Sequence, residues 1–142
     1  HHHHQTGYSV LRRDGFAALV ATDGVSGSVT TRPLLFEGTC LFVNVNGTVD
    51  VEVLDAHGIV IARAVQPAVG DSTKLGVPLI GSSVPAGGTC LDQPPQFPKH
   101  LRFTLGAGTQ LFAFWMASDA AGRSRGFLAG GGSAYPHSPR DI

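Results

Sequence analysis

The chain has 142 residues, 42% of them hydrophobic and 14% charged, and its ten basic side chains cancel its ten acidic ones. That length and composition suit one domain with a single two-layer core, and the lack of a basic surplus argues against nucleic acid as a partner. No apolar run approaches the roughly 20 residues a bilayer-spanning helix needs, so no membrane insertion is expected.

The first four residues, His1 to His4, read as the remnant of a purification tag, and residues 1–7 are set aside as tag and linker. No signal peptide is visible at the start, yet a tag in that place leaves room for a natural leader or a neighbouring domain upstream. Tyr8-Ser9-Val10-Leu11 reads as a first strand, and Arg12-Arg13-Asp14-Gly15 as a turn into a second strand over Phe16–Ala21. Asp23-Gly24 and Ser26-Gly27 break the chain before Ser28–Leu34, in which Pro33 belongs at a strand end or edge because it cannot donate to a ladder.

Cys40–Ile61 reads as three strands joined by two hairpin turns. In the middle strand Val49, Val51 and Val53 alternate with Asp50 and Glu52, the period of a strand with one buried and one wet face. Asn46-Gly47 is expected as a type I′ hairpin, and Asp55-Ala56-His57-Gly58 as a turn with Gly58 in the left-handed position. Val69–Leu75 follows as a strand with an irregular start at Gly70-Asp71, and residues 76–100, rich in proline and glycine, read as a long loop crossing between sheets or over an end of the domain.

Two clear strands return at Leu101–Leu105 and Gln110–Ala117, joined by Gly106–Thr109. The second is apolar on both sides, with Phe112, Phe114 and Met116 on one and Leu111, Ala113 and Trp115 on the other, so it is expected at the centre of a sheet. Ser118–Arg125 reads as a turn, Gly126–Ala129 as a short last strand, and residues 130–142 as a flexible tail. The domain thus runs over residues 8–129. Its expected class is all-β, an antiparallel β-sandwich of two sheets with little helix.

Chemistry-bearing motifs are few. No nucleophile elbow, phosphate-binding glycine loop or paired-cysteine zinc pattern occurs, so neither an enzyme nor a cofactor or metal site is expected. His57, His100 and His137 are scattered, and Asp50 and Glu52 read as the solvated face of a strand rather than a glycosidase pair. Cys40 and Cys90 are compatible with one disulfide, the alternative being two reduced core cysteines. Asn46-Gly47-Thr48 is a glycosylation sequon placed on the expected hairpin tip. Sugar recognition needs exposed aromatic faces beside planar polar groups; Trp115 reads as core, Tyr8, Tyr135 and Phe97 lie in turn-rich or terminal segments where they can be exposed, and Tyr8, Arg12, Arg13, Asp14, Asp71 and Tyr135 are the ligand-binding candidates. Asp71 with Ser72 and Thr73 offers oxygen ligands, too few for calcium.

Three pairs of segments carry a resemblance: Leu11–Phe16 with Leu34–Phe36, Leu41–Val45 with Val51–Asp55, and Gly70–Thr73 with Leu101–Phe103. Together they resemble the C-terminal β-sandwich accessory module that follows a glycoside-hydrolase or sialidase-like β-propeller in secreted bacterial proteins. The likeness spans most of residues 8–117 and departs between Gly76 and Lys99, where this chain carries an insertion containing Cys90. It implies a jelly-roll or concanavalin-like sandwich, extracellular and non-catalytic. Its partner is then either a glycan, held weakly, or a neighbouring domain or protein.

Overall fold

The computed structural model of the chain describes residues 6–22 and 24–123, so Tyr135, His137 and the expected strand Gly126–Ala129 lie outside the described residues. Eight strands occur in chain order: β1 (Leu19–Val20), β2 (Gly27–Thr30), β3 (Cys40–Leu54), β4 (Val60–Ala64), β5 (Ala68–Val77), β6 (Leu79–Ile80), β7 (His100–Leu105) and β8 (Gln110–Ala117). Every pairing among them is antiparallel, and no helix occurs among the described residues.

The fold is organised by β3, whose fifteen residues are long enough to serve two sets of neighbours. Its first half, from Cys40 to Val49, pairs with β8 on one edge and β5 on the other. Its second half, from Val49 to Leu54, pairs with β7 and β4. β1 extends the first half beyond β8, while β2 and β6 extend the second beyond β7 and β4. The strands therefore form one hydrogen-bonded sheet branched on a shared strand, where two separate sheets were expected. The sheet is open, since β1 pairs only with β8 and β2 only with β7.

Side chains alternate across a strand, so the odd-numbered residues of β3 share a face. Leu41, Val43, Val45, Val49, Val51 and Val53 all point into one core, where they meet Ala62 and Ala64 of β4, Leu101, Phe103 and Leu105 of β7 and Leu111 of β8. Both halves thus contribute to the same apolar cluster.

Several expectations are corrected. Asn46-Gly47 is no hairpin: β3 runs straight through it, with Gly47 opposite Gly70 of β5. The left-handed conformation that suggested a turn is present, at φ 125°, but it lets a neighbour close in rather than reversing the chain. A Cβ on Gly47 would lie 2.4 Å from the Thr109 hydroxyl. That hydroxyl accepts from Thr48 N–H at 2.9 Å and donates to Thr48 O at 3.1 Å, stitching the β8 end of the sheet to the middle of β3. The turn at Asp55–Gly58 does form, with Gly58 at φ 79°.

Tyr8–Leu11 forms no strand, and the strand expected over Phe16–Ala21 shrinks to Leu19–Val20. The central strand is β3, with β8 between it and β1. The faces of β8 also differ from strict alternation. Asn44 pairs with Ala113 and Val45 with Leu111, leaving Phe112 as an extra, bulged residue. Leu111 consequently joins Phe114 and Met116 at the main core, while Trp115 lies with Phe42 in a second cluster. Within residues 76–100 the short β6 pairs with β4, and Cys90 is disulfide-bonded to Cys40.

Candidate functional site

Arg12 is the centre of the candidate cluster. It enters through the turn Arg12–Gly15, closed by Gly15 N–H donating to Arg12 O at 2.9 Å, with Asp14 in the left-handed region at φ 51°. An aspartate tolerates that conformation better than most side chains because its short polar group bonds locally. The turn lays Arg12 across the outer face of β3. Its Nε donates to Asn44 Oδ1 at 2.6 Å and its Nη2 to Val45 O at 3.1 Å, while Nη1 is paired with Asp71. The guanidinium carbon also sits 4.8 Å from the ring centre of Phe112, the bulged residue of β8.

Asn44 completes the arrangement. It is 1% exposed, and its side-chain amide donates to Arg13 O at 2.7 Å. A buried amide without partners would be costly, and here both its oxygen and its nitrogen are bonded to the incoming segment. Four expected ligand-binding residues, Arg12, Arg13, Asp14 and Asp71, therefore belong to one neighbourhood, with Arg13 Nε 3.8 Å from an Asp14 carboxylate oxygen. The donors of Arg12 turn inward, however, and hold the segment to the sheet. Tyr8 is 94% exposed.

Asn44 is the residue sequence reasoning missed. Its signal was available: a lone amide inside the apolar run Leu41-Phe42-Val43-Asn44-Val45 has to find a polar partner.

Other candidates have structural partners. Trp115 stacks on Phe42 with ring centres 5.7 Å apart, and its indole N–H donates to Gly122 O at 3.0 Å. Asp50 accepts from Val51 N–H at 2.9 Å, and Glu52 is bound by Arg102 of β7 at 2.9 Å. His100 Nδ1 lies 2.8 Å from Thr31 O, and His57 is exposed in the Asp55–Gly58 turn. In that turn the Asp55 carboxyl is held below its ordinary range, first by the Ile59 N–H it accepts, then by the His57 N–H and the nearby charges of His57 and Lys99. Asn46 is exposed but mid-strand, opposite Asp71 on one side and Gln110 on the other, not on a hairpin tip. Beside Asp71, Ser72 Oγ accepts from Lys74 N–H at 3.1 Å. Among the described residues no group of three or more His, Cys, Asp and Glu side chains is placed to hold a metal ion.

The open side of the sheet supplies a different kind of surface. Between the β1 and β2 edges lies an apolar cleft of about 400 Å³, walled by Ala18 and Leu19, by Val29 of β2, and by Phe103, Leu111 and Phe114. The chain segment that leads into it is also apolar and exposed: Tyr8, Val10, Leu11, Phe16, Leu19 and Val20 are all open to solvent. No protein-family model, no curated protein and no solved structure matches this chain.

Proposed function

We propose that this chain is a non-catalytic accessory module of a larger extracellular protein, and that residues 8–20 seat it against a neighbouring domain or protein. The observation that carries this reading is the contrast within that segment. Six large apolar side chains are exposed along it, while Arg12 in its middle is fixed to Asn44 and Asp71. A segment held in place before a partner arrives loses little conformational freedom on binding, and a concentration of exposed apolar side chains is the usual mark of an interaction surface. The cleft between β1 and β2 continues the surface and suits an aliphatic or aromatic side chain from the partner.

The jelly-roll form belongs to the same reading: the two halves that share β3 act as two layers over one core, a rigid platform for docking. The disulfide suits an oxidising compartment. Asp50 and Glu52 are engaged with a backbone N–H and with Arg102, which supports a non-catalytic role.

A photo-crosslinking residue in place of Phe16 tests the seat. It should trap one partner, and the purified partner should bind the Phe16→Asp variant at least tenfold more weakly, with the unfolding midpoint unchanged. Equal binding by that variant, or a glycan captured in a manner lost in Tyr8→Ala, would overturn the reading.

A further inference from the structure

The loop between β6 and β7 is fixed at several points. Leu79 N–H donates to Thr89 O at 2.9 Å, Leu91 N–H to Thr39 O at 3.0 Å and Asp92 N–H to Ser83 O at 2.9 Å. Cys90 is bonded to Cys40, and Lys99 exchanges two backbone bonds with Leu34, each 2.8 Å. Between β4 and this loop is an open cavity of about 350 Å³. Ile61 and Leu91 supply apolar lining, and Asp92, Gln93, Gln96 and Lys99 supply polar groups. The side chains of Asp92, Gln93 and Gln96 are exposed to solvent and have no hydrogen-bond or ion-pair partner among the described residues, while the half-buried Lys99 feels the charge of Asp55.

We propose that this cavity is a binding site for a neutral saccharide. A carboxylate accepts hydrogen bonds from two adjacent hydroxyls, a side-chain amide both donates and accepts, and an ammonium donates. Those are the partners a ring bearing several hydroxyls requires. The aliphatic side chains can receive its C–H face. One carboxylate and one ammonium leave the site without net charge, which disfavours an ionic ligand. The volume lies at the lower end of the approximately 300–1,000 Å³ of small-molecule sites, enough for one or two sugar rings. No residue lining this cavity belongs to the segment 8–20, so the proposal is independent of the seating surface.

Amide chemical shifts followed during titration with glucose, galactose, fructose and sucrose, each up to high millimolar concentration, provide the test. At least one sugar should shift the amides of Ser82, Ser83 and 91–96. Asp92→Asn keeps the side chain's size and has no described internal partner to lose, so it should weaken binding about tenfold while leaving the unfolding midpoint unchanged. Gln96→Ala should weaken binding several-fold, and Phe16→Asp should leave it intact. No shift with any of the four sugars, shifts confined to residues 8–16, or equal affinity in Asp92→Asn would overturn the assignment.

Discussion

The two halves of β3 solve the same problem in opposite ways. From Cys40 to Val45 every side chain is buried, on both faces, whereas from Val49 to Val53 burial alternates with the partly exposed Asp50 and Glu52. The second half follows the ordinary rule of a sheet with one wet face. The first half has a covered outer face because three other parts of the chain lie on it: the Arg12 turn over Asn44, Cys90 joined to Cys40, and Gly122 packed against Phe42. The lesson is that one strand changes from singly to doubly buried over a few residues when sequence-distant segments are recruited to its outer face.

That contrast can be broken, and the largest effect should come from the bridge. Replacing Cys40 and Cys90 by Ser frees a loop with a separation of 50 residues, which the chain-entropy relation values at roughly 4 kcal/mol. Urea unfolding of the double variant measures the loss. Amide exchange should then quicken over 81–99 before it quickens over β7. Next comes the pivot between the halves. Gly47→Ala places a Cβ into the Thr109 hydroxyl at a backbone angle side chains rarely adopt, and should cost about 3 kcal/mol in the same assay.

Asn44→Leu preserves burial but removes the partners of Arg12 Nε and Arg13 O, so about 2 kcal/mol should be lost. The amides of residues 8–16 should lose protection together with it. In the other half the polar pairing is shallower. A double-mutant cycle on Glu52 and Arg102, whose side chains are 30% and 40% exposed, should give a coupling of only about 0.5 kcal/mol, declining with salt.

The smallest effect concerns acid. Asp55 has its folded carboxyl pKa lowered, chiefly by the Ile59 N–H, so its contribution is present above the ordinary carboxyl range and is lost as pH falls through the folded value. The stability gap between the natural chain and Asp55→Ala should therefore be constant near neutrality and close in acid below pH 3.8, the ordinary value for the group. A gap that widened in acid would reverse the sign.

The half that alternates is also the half that was legible in the sequence. Val49-Asp50-Val51-Glu52-Val53 declares its inward face, and the ends of β7 and β8 fall within one residue of expectation, the turn Gly106-Ala107-Gly108-Thr109 marking where one stops and the other starts. Gly47 misled because a positive φ serves two purposes, reversing a chain or admitting a neighbour, and only pairing on both edges distinguishes them. Phe112 was assigned by strict alternation, which a one-residue bulge shifts locally. The Arg12–Asn44 contact joins positions 32 apart along the chain and has no local periodicity to announce it. The cavity between β4 and the β6–β7 loop depends on how that loop returns through Cys90 and Lys99, and the path of a loop is set by tertiary contacts rather than by the order of its residues.

Sharing one strand also imposes a timetable on synthesis. As the chain leaves the ribosome, the later half of β3 can fold back on β4 across the Asp55–Ile59 turn almost at once, and β5 follows to cover one edge of the earlier half. The other edge waits for β8, the last of the described strands to emerge, and until it does the run from Leu41 to Val45 offers a bare ladder to any nascent neighbour. Production yield should therefore respond most to whatever delays the arrival of β8.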